Sequence, residues 1–113
     1  MRVALGGTGV YATNINVYSE DYTTLNYVFV IHNATASTFR AREIVEVNGS
    51  RIYTGTTTDV AAGSTLAVQR QLTTSVTNGD EVKIYYGAGN YIKRIIEWAY
   101  YMSLLLSLKF RKH

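Results

Sequence analysis

Few residues of this 113-residue chain are of the types that perform acid–base or nucleophilic chemistry. The sequence has no cysteine, which excludes disulfides, thiolate metal ligands and cysteine nucleophiles together. Its two imidazoles belong to His32, at the end of an apolar stretch, and to His113, the last residue. We therefore predict structural or surface roles for both histidines, and a protein that is not an enzyme.

Two further patterns match binding sites only in part. The stretch LGGTGVYA, residues 5–12, is rich in glycine, but no Lys-Ser or Lys-Thr follows it. The residues after it alternate as in a strand, whereas phosphate loops open a helix. The acidic pairs at residues 20–21 and 80–81 lack the dense oxygen-ligand spacing of a calcium loop. We interpret these pairs as solvated turns, and we expect neither a metal nor a cofactor.

The elements that carry these residues are predicted to be strands. Residues 25–33, LNYVFVIHN, direct apolar side chains to both faces, which is typical of a central strand. In VEVNGSRIY, residues 45–53, Asn48 and Gly49 suit the positive φ of a type I′ turn and predict a β-hairpin. Arg70 shares the parity of the apolar residues around it, so it needs a partner or an exposed end.

The number and spacing of the strands predict the fold class. About seven short strands, with turn signals roughly every eight to twelve residues, are typical of a β-sandwich. The predicted class is mainly β: an immunoglobulin-like β-sandwich domain over residues 1–90, with a C-terminal apolar α-helix over residues 91–113.

One part of the body is similar to a known family. Residues 45–90 contain a Thr-rich strand, the motif AAGST, a further strand, an NGDEV turn and a closing strand. This order resembles the globular β-sandwich of archaeal pilins and archaellins. The resemblance implies a surface or filament-forming subunit of an archaeon or an archaeal virus. Those subunits carry their hydrophobic assembly helix at the N-terminus, whereas the helix predicted here is C-terminal, so the type IV assembly machinery is not implied.

Basic charge is concentrated in the C-terminal segment. Residues 1–88 contain six Lys or Arg and seven Asp or Glu, a net charge of −1. Residues 89–113 contain five basic residues and one acidic residue, a net charge of +4. This asymmetry indicates a partner at the C-terminus, such as a membrane surface or an acidic protein. Because the neutral body provides no basic groove, nucleic acid is not the expected partner.

The C-terminal segment is predicted to be an assembly helix, with Asn90 as its N-cap. The apolar residues of this helix are Ile92, Ile95, Ile96, Trp98, Ala99, Met102, Leu105 and Leu106, and the basic tail contains Lys109, Arg111 and Lys112. The uncharged run, residues 98–108, is shorter than the about 20 apolar residues that span a membrane. The helix could cover its own sandwich, pack between subunits or lie in a membrane interface, and the sequence leaves these alternatives open.

These features favour a non-enzymatic structural subunit. Its partners would be other copies of itself, assembled through edge strands and the C-terminal helix into an extracellular filament, a pilus-like fibre or a virion shell. Two alternatives stay open. One is an adhesin or carbohydrate-binding module that uses some of the ten Tyr as stacking platforms, and the other is a peripheral membrane protein anchored by the helix.

Localisation is predicted at the cell surface or in a virion. The apolar stretch near Met1 is too short for a secretory signal, so export would need another route, such as release of a virus particle, or a signal removed from this numbering. Two sequons, at Asn33 and Asn48, would permit glycosylation if they are exposed.

Overall fold

The computed structural model describes residues 2–6, 9–87 and 89–97 of the chain. These residues form eight strands, and they contain no helix. The strands are β1 (Val3–Gly6), β2 (Val10–Tyr18), β3 (Thr24–Asn33), β4 (Phe39–Val47), β5 (Ser50–Val60), β6 (Thr65–Thr73), β7 (Glu81–Tyr86) and β8 (Tyr91–Ile95).

The strands form two four-stranded antiparallel sheets that enclose one core. The first sheet has the order β1-β2-β3-β6, and the second has the order β5-β4-β7-β8. Residues from both sheets meet in a single hydrophobic cluster, which is the arrangement of a β-sandwich. The predicted mainly β class is confirmed at this level.

Strand β3 lies at the centre of the first sheet, as its apolar pattern predicted. Its inward side chains alternate along the strand and are almost completely buried: Leu25, Tyr27, Phe29 and Ile31. Its outward apolar residues, Val28 and Val30, are half-buried between the neighbouring strands. A strand with a neighbour on each side buries part of both faces, which explains the continuous apolar run.

The predicted hairpin joins β4 to β5. Asn48 and Gly49 have φ values of +52° and +83°, the left-handed conformation that a two-residue type I′ turn requires. Val47 pairs with Ser50, and Val45 pairs with Tyr53. The Thr-rich stretch after it continues β5 as an edge strand to Val60.

The predicted start of the C-terminal helix is corrected by β8. Residues 91–95 pair with β7 in register, and Ile92 and Ile96 are buried in the sandwich core. The boundary after Asn90 is therefore misplaced, because the sandwich extends at least to Ile96. The i, i+4 spacing of these two isoleucines fits a helix, but it also places both on the inner side of an extended chain. The rest of the predicted helix, residues 98–113, lies outside the described residues.

Candidate functional site

The first sheet has an open edge beside the second half of β2. Strand β1 pairs only with the start of β2, from Val3 opposite Ala12 to Gly6 opposite Val10. Within the described chain, residues 13–18 of β2 have no strand on that side, although β3 pairs with them on the other. Six of the nine residues of β2 therefore lie at a sheet edge, where alternate backbone N–H and C=O groups have no partner strand within the described chain.

A bulge in β2 lies within this open edge. Thr13 pairs with Val30 and Asn16 pairs with Val28, so two residues of β2 lie opposite one residue of β3. Asn14 has a φ of +55°, a left-handed conformation that Asn adopts more readily than most residues. The bulge keeps Ile15 and Val17 in contact with the core, although neither is fully buried.

A groove of about 490 Å³, lined by both polar and apolar side chains, follows this open edge and separates β2 from the end of the second sheet. Its apolar lining consists of Ile15, Val17, Ile95 and Ile96. Ile95 is 43% exposed, one of the largest exposures of an apolar side chain in the described chain. Glu97, the last residue that the structure describes, also lines the groove. The groove thus combines unpaired backbone with incompletely covered core residues.

A buried carboxylate joins the two sheets on the opposite side of the core. Glu43 on β4 is only 2% exposed, and it accepts hydrogen bonds from the hydroxyl groups of Tyr86, at 2.6 Å, and Tyr27. Arg70 on the edge strand β6 donates to the same carboxylate through Nη2, at 2.6 Å, and Nε, at 3.2 Å. The Tyr53 ring lies 5.3 Å from the guanidinium carbon. Glu43 is therefore the partner that Arg70 was predicted to need, because Arg70 shares the parity of its apolar neighbours.

The environment of this cluster fixes its protonation states. Burial raises the pKa of Glu43, but hydrogen bonds from Arg70, Tyr27 and Tyr86 outweigh burial and leave the net pKa below its ordinary value. Burial, followed by the hydrogen bond to Glu43, raises the pKa of Tyr27 and Tyr86. Glu43 is therefore ionised and both phenols are neutral at neutral pH. Every donor in the cluster points to one acceptor, which is the arrangement of a structural ion pair.

The outer face of the first sheet carries a group of amide side chains, which we call the amide face: Asn16, Asn26, Gln69 and Gln71 with the ring of Tyr18. Tyr18, Asn26 and Gln71 lie opposite one another across three strands, and Asn16, Val28 and Gln69 form the next row. A hollow of about 310 Å³ lies against this surface. None of the four amides has a hydrogen-bond partner among the described residues.

The far end of the same outer face holds an aromatic stack. The Arg2 guanidinium lies 4.0 Å from the centre of the Tyr11 ring, which stacks on His32 at 4.8 Å with an interplanar angle of 9°. Thr13 Oγ1 lies 2.7 Å from His32 Nε2. His32 is therefore held by a ring and a hydroxyl on the sheet surface.

The outer face of the second sheet is charged. Glu81 lies 3.4 Å from Lys93 and 3.8 Å from Lys83, and Arg40 pairs with Asp59 at 2.8 Å. All of these side chains are partly or largely exposed, so the pairs are screened by water and contribute little. This face has the mixed charge of an ordinary solvated surface.

The predicted assembly and tail residues fall into three groups. Ile92 and Ile96 belong to the core, and Ile95 is exposed beside the groove. The remaining predicted residues lie outside the described residues: Trp98, Ala99, Met102, Leu105, Leu106, Lys109, Arg111 and Lys112. Of the three described residues, Ile95 and Ile96 line the groove, whereas Ile92 is buried within the sandwich and does not line the groove.

The two sequons have different environments. Asn33 is 1% exposed, its Nδ2 donates to the carbonyl oxygens of Ser37 and Val60, and its Oδ1 accepts from Thr35. Its amide nitrogen is thus buried and already bonded, so the folded sandwich leaves no room for a glycan there. Asn48 is exposed in the β4–β5 turn, where Nδ2 donates to Asp80.

Three of the four residues of the acidic pairs lie in turns or connections, whereas Glu81 begins β7 and pairs with Ile95. Asp21 Oδ1 accepts hydrogen bonds from the backbone of Thr23 and Thr24, and the bond to Thr23, followed by the Thr24 hydroxyl, lowers the pKa of Asp21. Asp80 accepts from the backbone of Thr77. Both carboxylates are used to cap turns.

Sequence reasoning did not identify the Glu43 cluster, the open β2 edge or the amide face. One signal for the cluster was available, since Glu43 lies between inward-facing Ala41 and Val45 and thus has core parity. The open edge depends on where β1 stops, and that length is set by tertiary pairing.

Comparisons with known proteins leave the family open. No protein-family model matches the sequence, and no curated protein sequence is significantly similar to it. Within the described part of the chain, no group of three or more His, Cys, Asp or Glu side chains could hold a metal. The same residues include no helix of the length and hydrophobicity needed to cross a membrane.

Proposed function

We propose that this protein is a non-enzymatic structural subunit that self-assembles by complementation. An apolar segment of one copy would occupy the groove beside β2 of the next copy and would pair with the open edge. The observation that carries the proposal is the coincidence of six residues of β2, which have no strand on one side within the described chain, with a groove whose lining includes Ile15 and Val17. Strand addition uses this combination of free backbone groups and side-chain pockets.

The segment that would fill the groove is residues 98–108, eleven consecutive uncharged residues that include Trp98, Met102 and four leucines. The apolar spacing of the sequence predicts that this segment is part of an assembly helix over residues 91–113. A helix would cover the apolar lining, and an extended segment would also satisfy the β2 backbone. In both cases the contact joins two different surfaces of neighbouring copies. Such a heterologous contact produces rings or open filaments.

Energetics allow a stable contact of this kind. Fully burying a Val, Leu, Ile, Phe or Met side chain contributes about 1.5–3 kcal/mol. Ile15, Val17 and Ile95 are already partly covered, so each contributes less than this range, whereas the incoming apolar residues start in water. The total free energy of burial must exceed the entropic cost of ordering the segment. The overall cost of binding is smallest when the acceptor groove is already formed.

The nature of the assembly rests on the sequence resemblance. Residues 45–90 resemble the globular domain of archaeal pilins and archaellins, and immunoglobulin-like packing of the two sheets would agree with it. We propose an extracellular filament, a pilus-like fibre or a virion shell of an archaeon or an archaeal virus.

The proposal is tested by light scattering after size exclusion and by negative-stain electron microscopy. Full-length protein is compared with a chain that ends at Glu97, which retains all eight strands and the buried Ile92 and Ile96. We expect filaments or shells for the full-length protein and a folded monomer for the truncated one. A full-length protein that remains monomeric at high concentration would contradict the proposal.

Point variants locate the contact. Ile15→Lys places a charge in the groove, and we expect it to abolish assembly. Ala67→Lys is the matched control, because Ala67 is exposed on β6, the other edge of the same sheet, and lies away from the groove. Equal loss of assembly in both variants would place the contact at β6 instead. Binding of monomeric full-length protein to anionic vesicles would favour the membrane-anchored alternative.

A further inference from the structure

We infer that the amide face binds neutral carbohydrate, with the Tyr18 ring as a stacking platform and Asn26 and Gln71 as hydrogen-bonding groups. This inference goes beyond self-assembly and does not depend on it. It rests on the placement, the bonding state and the charge of five side chains on the outer face of the first sheet.

The placement of these side chains forms a continuous recognition surface. Tyr18, Asn26 and Gln71 are direct cross-strand neighbours on β2, β3 and β6. Strands in a sheet lie about 4.8 Å apart, so the row extends over about 10 Å, and Asn16 and Gln69 add a parallel row beside it. The adjoining hollow of about 310 Å³ has room for a sugar ring against the sheet. The surface therefore has the extent of a short oligosaccharide.

The amides on this face have no hydrogen-bond partner among the described residues, as is also true of Asn14 in the β2 bulge, whereas other amides of the chain are structural. Asn33, Asn48 and Asn90 each hydrogen-bond to another part of the chain. On the amide face, no such bond is present among the described residues. Both Gln residues of the whole sequence lie there. Exposed sheet surfaces usually carry charges of both signs, which keep a protein soluble. A patch of amides without protein partners therefore indicates a ligand to which amide groups can hydrogen-bond.

The chemistry of the face selects a neutral, polyhydroxylated ligand. An amide side chain both donates and accepts hydrogen bonds, as sugar hydroxyl groups do. The Tyr18 ring is 37% exposed, and an exposed aromatic ring packs against the apolar face of a sugar while its hydroxyl group stays in water. Arg70 is among the residues that line the hollow, but its guanidinium is paired with Glu43. Phosphates and nucleic acid would require free basic groups here.

Calorimetric titration of the full-length protein with three neutral oligosaccharides, maltoheptaose, chitohexaose and mannopentaose, tests the inference. A heparin hexasaccharide serves as the charged control. We expect at least one neutral probe to bind with an affinity that does not change between low and high salt, and heparin not to bind. Failure of all three neutral probes at millimolar concentration, or binding of heparin that salt weakens, would overturn the inference.

Matched variants locate the site. Tyr18→Ala should weaken binding about tenfold or more, equivalent to roughly 1.4 kcal/mol. Tyr91→Ala is the control, because Tyr91 is also 37% exposed but lies on the second sheet. Equal losses in both variants would reject the amide face as the site.

Tyr18 also borders the groove beside β2, so its replacement could alter assembly. Gln71 lines the hollow but does not line the groove beside β2. Gln71→Ala should therefore weaken sugar binding severalfold without changing the polymer. An assembly defect with normal sugar affinity in Gln71→Ala would contradict the inference and leave the proposed subunit function intact.

Discussion

The two sheets of this sandwich present different outer surfaces and different edges. The second sheet has a charged outer face, and its edge strand β5 carries two bulges opposite β4, at Ile52 and near Gly55. Bulges and charges both prevent a sheet from pairing with another chain. The first sheet carries uncharged amides and a Tyr on its outer face, a regular β6 edge and an open stretch of β2 that has one bulge, at Asn14 and Ile15. The two sheets therefore differ mainly in the charge of their outer faces, whereas the groove of the proposed contact is lined by residues of both, Ile15 and Val17 on the first and Ile95 on the second.

The largest expected effect concerns β8, the edge strand of the second sheet on the side away from β5. A chain that ends at Asn90 loses β8 and the buried Ile92 and Ile96, and removing a buried Ile side chain costs about 2–5 kcal/mol. Because small domains are stable by about 5–15 kcal/mol, we expect this chain to be unfolded or close to it. A chain that ends at Glu97 should unfold cooperatively in urea. Equal stability of the two chains would contradict the assignment of β8 to the core.

The next effect concerns the ion pair that joins the sheets. Arg70→Leu leaves the Glu43 carboxylate buried without its cation, and breaking a buried pair costs about 3–5 kcal/mol. Since Arg70 is partly exposed, we expect the lower end of this range. Arg40→Leu removes an exposed pair on the second sheet and should cost less than about 1 kcal/mol. Urea denaturation measures both, and similar losses would show that Glu43 is not energetically linked to Arg70.

The same cluster should determine part of the acid sensitivity. The pKa of Glu43 is lower in the folded chain than its ordinary value of 4.5, so the unfolded chain binds more protons in acid. Its contribution to stability is therefore complete above about pH 4.5 and is lost as the pH falls through the folded pKa. We expect Glu43→Gln to flatten the decline in the free energy of unfolding below that pH. An unchanged slope would mean that other carboxylates account for the decline.

The smallest effect concerns the turns. Gly49 and Gly63 have φ values of +83° and +72°, and an added Cβ would meet nothing within 4 Å at either position. The cost of Gly→Ala is then conformational only, about 1 kcal/mol at each site. Gly49 lies in a hairpin within the second sheet and Gly63 lies in the connection between the sheets. Thermal unfolding should show equal shifts, and a larger shift for Gly63→Ala would indicate strain where the chain crosses between sheets.

Local patterns in the sequence predicted the elements that depend on neighbours in the chain. The apolar run of β3, the Asn48-Gly49 turn and the need of Arg70 for a partner all follow from period and turn chemistry. The identity of the partner did not follow, because Glu43 and Arg70 are on different sheets and 27 positions apart. For the same reason the amide face could not be predicted, since it is assembled from three strands.

The start of the C-terminal segment shows how tertiary pairing overrides a helical pattern. Ile92 and Ile96 have helical spacing, and Asn90 is a suitable helix N-cap. In the folded chain Asn90 Nδ2 instead donates to the Leu5 carbonyl oxygen, and residues 91–95 pair with β7 after a turn that contains Gly87 and Gly89. Five ladder pairs and two buried isoleucines favour the strand over any local preference.

The most direct test of the account is the oligomeric state of the full-length chain beside the chain that ends at Glu97, measured by size-exclusion light scattering at the same concentrations. The account predicts large assemblies of the full-length protein and a folded monomer of the shorter one, with the groove beside β2 vacant. Monomers of both, with the longer chain more stable, would mean that residues 98–113 cover their own sandwich and would contradict assembly through the groove.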